Sequence, residues 1–275
     1  MIWGTSNVLA IPPKLYIFFQ YGKLKAMKTE RIDKILAHHG FGTRKEVKKL
    51  LHAKRVLVNG EVCVSQDKHI HTETDTITVD DEILVLRHHV YLMLHKCVDV
   101  VCSTKDGLHK TVLDILPEEY QIPFMGGDLH PIGRLDIDTE GLLLLTTDGA
   151  LTHILTSPKN HIPKTYFVRL ENPVTQENQQ EWKVLFAQGI HVGPEGKEAE
   201  FDAQSAELDW VSEREATLTI YEGKYHQVKR MFKEMGNHVI YLKRTKIASL
   251  SLDENLKLGE CRELTEEEKE KLFEI

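Results

Sequence analysis

The stretch Gly133–Gly149 reads Gly-Arg-Leu-Asp-Ile-Asp-Thr-Glu-Gly-Leu-Leu-Leu-Leu-Thr-Thr-Asp-Gly and constrains the fold more than any other. Leu142 to Leu145 form an unbroken apolar run, preceded by Gly141 and followed by the turn signal Asp148-Gly149. Such a run predicts a strand buried on both faces, because a half-exposed strand would alternate. Three acids, Asp136, Asp138 and Glu140, occupy alternate positions just before it. The start of a core strand therefore delivers carboxylates on a rigidly supported loop. A calcium loop is one reading: the acids match positions 1, 3 and 5 of an EF-hand and Gly141 matches position 6. The match then fails, because position 12 needs a bidentate Glu and holds Thr147, and the leucines argue for a strand. Two readings remain: a single catalytic carboxylate with Arg134 beside it, or an acidic surface turn. Spacing alone favours the acidic surface turn.

The 275 residues, 41% of them hydrophobic, suffice for one large domain or two unequal ones. A net charge of -7 argues against a general RNA-coating protein but leaves room for local basic patches. Cys63, Cys97, Cys102 and Cys261 form no C-x-x-C pair, which predicts free thiols in a reduced cytoplasm. No stretch approaches the ~20 apolar residues of a membrane helix. No metal, nucleotide or flavin motif stands out, so no cofactor is expected. In residues 1–26, Pro12-Pro13 breaks the segment, and the run Leu15–Phe19 is too short for a signal-peptide core. This stretch is predicted to be a non-native or disordered extension, with Met27 the natural start.

From Lys28 to Gly60 the chain carries nine Lys or Arg against three acids, opposite in sign to the whole. Ile32, Ile35 and Leu36 fall on one helix face, and Gly40 can end that helix. Thr43-Arg-Lys-Glu46 is a capping box opening a second helix with Val47, Leu50 and Leu51 inward. Arg44, Lys45, Lys48 and Lys49 cluster away from that stripe. Val56 and Val58, Asn59-Gly60, then Val62 and Val64 read as a tight hairpin. Arg87-His88-His89 marks a linker. Further on, Ala150–Thr156 predicts a short helix, His161–Leu170 a strand, and Val192–Ala199 a hairpin tip. Thr217–Tyr221 predicts another strand, Glu222–Phe232 a run into a helix, and Val239–Lys243 a strand after it. Lys224 to Lys246 is again basic, with seven Lys or Arg and one acid. Thr265 opens a last capping box with Glu268, in an acidic C-terminal helix.

The signature Gly-Arg-Leu-Asp-x-x-Thr-x-Gly-Leu-Leu-Leu-Leu-Thr-x-Asp-Gly resembles that of the RsuA-type pseudouridine synthases. Lys164-Thr-Tyr166 resembles a second family motif. Gly223-Lys-Tyr-His-Gln-Val-Lys-Arg-Met231 resembles a third, in the form of the small-subunit rRNA branch. Residues 28–86 resemble an S4 RNA-binding domain. The resemblance implies an α+β protein: a small S4 domain over 28–86, then an antiparallel-sheet pseudouridine synthase domain over 90–275. It implies isomerisation of one uridine of 16S rRNA, of the uridine-516 type. Asp136 is then the catalytic acid, Tyr166 the ring that stacks on uracil, Lys229 the cation neutralising Asp136, and Leu242 an apolar wall. Attack at C1′, addition at C6 and deprotonation at C2′ all remain open. Expected RNA contacts are Arg31, Arg44, Lys45, Lys48, Lys49, Lys54, Arg55, Arg134, Lys164, Lys224, His226, Gln227, Arg230, Lys243 and Arg244. The expected partner is 16S rRNA or a small-subunit assembly intermediate, met by a monomer with no metal and no membrane. Rival readings are a 23S rRNA synthase and a non-catalytic S4-type ribosome-binding protein. The chain departs from the family's Leu-Asn-Lys-Pro-x-Gly at Leu94-His-Lys-Cys-Val-Asp99, which predicts an altered turn.

Overall fold

The computed structural model describes residues 29–72, 74–84, 86, 89–121 and 127–274. The expected extension, Met27, and Arg87-His88 of the expected linker lie outside the described residues. The chain divides into two compact units, one running to Leu86 and taking in Glu266 onward, the other Arg87–Thr265.

In the first unit, helices α1 (Ile32–His38) and α2 (Arg44–His52) bury Ile32, Ile35, Leu36, Val47 and Leu51 completely. Thr43 and Glu46 cap α2 reciprocally, each side chain accepting a backbone N–H of the other. Strands β1 (Val56–Val58), β2 (Glu61–Val62), β3 (Ile77–Val79) and β4 (Glu82–Leu84) form a sheet in the order β2-β1-β3-β4. Asn59 and Gly60 take φ of +53° and +81°, the pair of left-handed residues a two-residue hairpin requires. Past that turn it is Cys63 that is buried, while Val62 and Val64 face outward.

The second unit is built on a nine-stranded sheet. Its strands are β5 (Tyr91–Lys96), β6 (Glu140–Thr146), β7 (Lys164–Leu170), β8 (Glu207–Trp210), β9 (Glu215–Ile220), β10 (Val239–Ile247) and β11 (Cys261–Glu263). Their order is β8-β9-β7-β10-β6-β5-β11, with His130–Pro131 pairing β6 and Leu250–Ser251 pairing β10. Leu142 to Leu145 are all buried: Leu143 and Leu145 join the main core, and Leu142 and Leu144 point to the other face.

Three helices flank the strands: α3 (Gly149–Thr156), α4 (Gln176–Gln188) and α5 (Gln227–Glu234). Asp148, read from sequence as a turn residue, caps α3 by accepting from the N–H groups of Ala150 and Leu151. Trp182 and Phe186 of α4 meet Phe232 of α5 at ring-centroid distances of 6.3 and 5.3 Å. The acidic helix α6 (Glu266–Phe273) groups with the first unit.

The sheet is antiparallel except where β6 meets β10, with Glu140 opposite Lys243 and Gly141 opposite Arg244. An antiparallel-sheet domain was expected and is found, and the parallel contact within this sheet lies at the acid loop. Gly141 takes φ +110°, and a Cβ there would stand 2.2 Å from the Arg244 carbonyl oxygen. Only glycine lets the two backbones approach so closely.

Candidate active site

Carbonyl groups hold the acid loop in place through one lysine. Lys96 ends β5, is wholly buried, and donates from Nζ to the carbonyls of Cys97 (3.0 Å), Asp136 (3.0 Å) and Thr139 (2.9 Å). Burial lowers the pKa of this ammonium, against the opposing pull of Cys102, Cys97, Asp136 and Asp138. Sequence reasoning gave Lys96 no role at the site. Its signal was a lone charge closing an otherwise apolar strand. The neighbouring turn forms without the family's Pro and Gly: Asp99 takes φ +62° and donates its N–H to Ile137 O at 2.9 Å. Asp tolerates this left-handed conformation better than most residues, so the departure does not abolish the turn.

The Asp136 carboxylate lies 3.2 Å from Lys229 Nζ and 3.8 Å from His226 Nε2. Lys229 comes from α5 and also reaches Asp138 Oδ1 at 2.5 Å, so it serves two acids where one was expected. Burial pushes Asp138 upward, but the hydrogen bond and charge of Lys229 outweigh it and hold Asp138 below the usual carboxylate range. Arg134, expected beside Asp136, is exposed and is not among its ion partners within the described residues. Glu140 accepts from the Tyr241 hydroxyl at 2.7 Å.

Asp136 opens onto a cavity of about 360 Å³ that Tyr166, Leu242, Lys164, Arg244, Lys224 and His226 also line. Tyr166 stands opposite Arg244 across β7 and β10, and Leu242 lies two residues earlier on the face of Arg244. Arg244 is buried and clamps the loop to the strand, donating Nε to Leu142 O (2.8 Å) and Nη1 to Arg134 O (3.4 Å). Burial first, and then the charge of Arg244, lowers Lys164 to about 8. A second hollow of about 490 Å³, lined on its far side by Cys102, Ser103 and Asp106, meets the first at Arg134–Asp136 and Tyr225-His226.

Several expected RNA contacts are placed otherwise. Gln227 is buried and bonds Glu222 Oε1 (2.8 Å) and the Lys224 N–H (3.0 Å), so it shapes the loop from within. Arg230 is buried and donates to the carbonyls of Gly193 (2.6 Å) and Ala199 (2.8 Å), its guanidinium lying over Phe201. On α5 it follows Lys229 by one position, which turns it about 100° away from Asp136. Lys243 alternates with Leu242 and Arg244 and so lies off the cavity face. In the first unit, Arg44, Lys45, Lys48, Lys49 and Lys54 are exposed. Arg31 instead pairs with Asp33 (2.8 Å) and Asp67 (2.5 Å), and Arg55 pairs with Asp80. These two guanidiniums are engaged by carboxylates of their own unit.

Residues 90–234 match the family model described as RNA pseudouridylate synthase, and residues 30–76 match the S4 domain. An uncharacterized RNA pseudouridine synthase, YtzG of Bacillus subtilis (strain 168), is 43% identical over 242 residues, 86% of this chain and 96% of that protein. The chain belongs to the RNA pseudouridylate synthase family. Ribosomal small subunit pseudouridine synthase A of Escherichia coli (strain K12) is 40% identical over 239 residues, 86% of this chain and 97% of that protein. A solved structure described as a crystal structure of pseudouridylate synthase superposes with a TM-score of 0.58 at 40% identity, covering 88% of this chain and 99% of that one. The α+β architecture is thus an S4 domain followed by a pseudouridine synthase domain.

Proposed function

We propose that this family member isomerises a specific uridine of small-subunit (16S) rRNA to pseudouridine, with Asp136 as the catalytic carboxylate. The observation that carries the reading is one cavity into which Asp136, Tyr166 and Leu242 all open, with Lys229 3.2 Å from the acid. The reaction breaks the N1–C1′ bond and forms a C5–C1′ bond, C5 giving up its proton and N1 taking one up, with no net redox change. A carboxylate can carry it by covalent catalysis without a cofactor. Tyr166 offers a ring on which the detached uracil stacks while it turns, and Leu242 closes the wall. A uridine within a helix must be flipped out to reach such a cavity. Lys164, Lys224 and Arg134 line the same cavity and bring positive charge suited to phosphates. The substrate rRNA is supported by the small-subunit synthase A relatives.

The test is incubation with 16S and 23S transcripts followed by mapping of pseudouridine. Modification of one 16S position is expected, and Asp136→Asn is expected to abolish it while RNA still binds. Modification of 23S alone would reassign the substrate. Full activity in Asp136→Asn, with deamidation excluded by mass spectrometry, would overturn the mechanism.

A further inference from the structure

We propose that Tyr225, stacked on His226, is the platform for the nucleotide adjoining the target uridine, and so helps determine which RNA site is chosen. The inference rests on the reading of the 360 Å³ cavity as the uridine site. The Tyr225 and His226 rings lie 3.8 Å apart at 22°, and Tyr225 remains 45% exposed. One face of the phenol is thus covered by the imidazole, and an exposed aromatic surface is left over. Both residues line both hollows, which have separate far walls and meet at Asp136. A uridine turned into the first hollow leaves its neighbour at the second, within reach of that ring. His226 also lies 3.8 Å from Asp136, which ties the platform to the reacting acid.

The platform is held before RNA arrives. Gln227 bonds the Lys224 N–H and Glu222, Arg230 Nη1 donates to the Tyr225 carbonyl at 3.4 Å, and His226 sits at φ +48° before α5. The buried Gln227 and Arg230 are positioning residues for this loop. A fixed ring loses little freedom on binding. Stacking tolerates any base, so the preference it confers follows stacking strength.

The experiment uses the full chain carrying Asp136→Asn, which keeps the RNA unreacted. Its probe is a short single-stranded RNA with one uridine and 2-aminopurine on its 5′ or 3′ side. Quenching of 2-aminopurine in one of the two positions is expected, lost in Tyr225→Ala and kept in Tyr225→Trp. Binding to Tyr225→Ala should weaken roughly ten- to hundredfold. An abasic flank should weaken the Tyr225 protein equally and the Ala variant hardly at all. Additive losses from the abasic flank and Tyr225→Ala, or equal binding by the Ala variant with an unaltered melting temperature, would overturn the platform. Those results stand apart from the mapping of pseudouridine, so failure of the platform and failure of the catalytic reading are distinguishable.

Discussion

At the scale of single residues, two acids of the loop share one cation. Lys229 stands between Asp136 and Asp138, so neither carboxylate is alone in its field. Asp138 is the more exposed and takes the shorter contact, yet it does not line the cavity that holds Tyr166 and Leu242. Asp138→Asn should therefore retain turnover in a pseudouridine-formation assay, within about tenfold, because Lys229 remains beside Asp136. Loss as complete as that of Asp136→Asn would show that the pair acts as one unit. Lys96 works from beneath. Lys96→Met keeps the length of the stem but leaves the carbonyls of Cys97, Asp136 and Thr139 without their donor. A buried acceptor left unmet costs on the order of 1–3 kcal/mol. Thermal or urea unfolding should show a loss of roughly 3 kcal/mol, and turnover should fall more than RNA affinity because the acid is displaced.

At the scale of elements, the parallel contact between β6 and β10 joins the acid loop to the strand that supplies Leu242 and Arg244. Its closeness depends on Gly141. An alanine there would meet the Arg244 carbonyl at 2.2 Å and its N–H nitrogen at 2.7 Å, in a backbone conformation with φ +110° that L-residues avoid. Gly141→Ala should destabilise the protein by roughly 3 kcal/mol, combining strain and overpacking. Because β10 must shift, Arg244 loses its hold on Leu142 and Arg134, and activity should fall even below the melting temperature. Wild-type stability and turnover in this variant would show that the sheet relaxes freely at this point. Helix α5 carries the complementary lesson. Successive positions 229 and 230 face opposite tasks, one salt-bridging the acids and the other buried under the loop 193–199.

At the scale of the whole molecule, charge is divided unevenly along a chain whose sum is -7. Helix α2 presents Arg44, Lys45, Lys48 and Lys49 to solvent, while Arg31 and Arg55 are occupied by Asp33, Asp67 and Asp80. The exposed four should supply phosphate contacts, and the occupied two should add little. Replacing the four with glutamine should lower the slope of log affinity against log salt by up to about 3, at 0.7 per single-strand phosphate contact. The same replacement of Arg31 and Arg55 should leave the slope nearly unchanged, and stability little altered because both guanidiniums pair at the surface. A titration of RNA binding against salt separates the two outcomes.

The sequence by itself determined the elements whose signals are local. The leucine run dictated a strand buried on both faces, Thr43 and Glu46 dictated the start of α2, and Asn59-Gly60 dictated a hairpin. The spaced motifs around Asp136, Tyr166 and Lys229 named the residues that now line or border one cavity. Helix α4 and strands β8 and β11 went unassigned, because their burial depends on surfaces supplied by distant parts of the chain. The family motif named Lys229 as the partner of Asp136, while the contact of the same lysine with Asp138 belonged to the tertiary structure. Arg134, two residues from Asp136, is exposed, whereas Lys229 arrives from α5. Lys96, Gln227 and Arg230 look like surface polar groups in sequence, yet each is buried to satisfy carbonyls or loop atoms that only the folded chain brings within reach. Periodicity reports which face of an element is apolar, but a hydrogen bond or ion pair depends on where two separate elements finally pack.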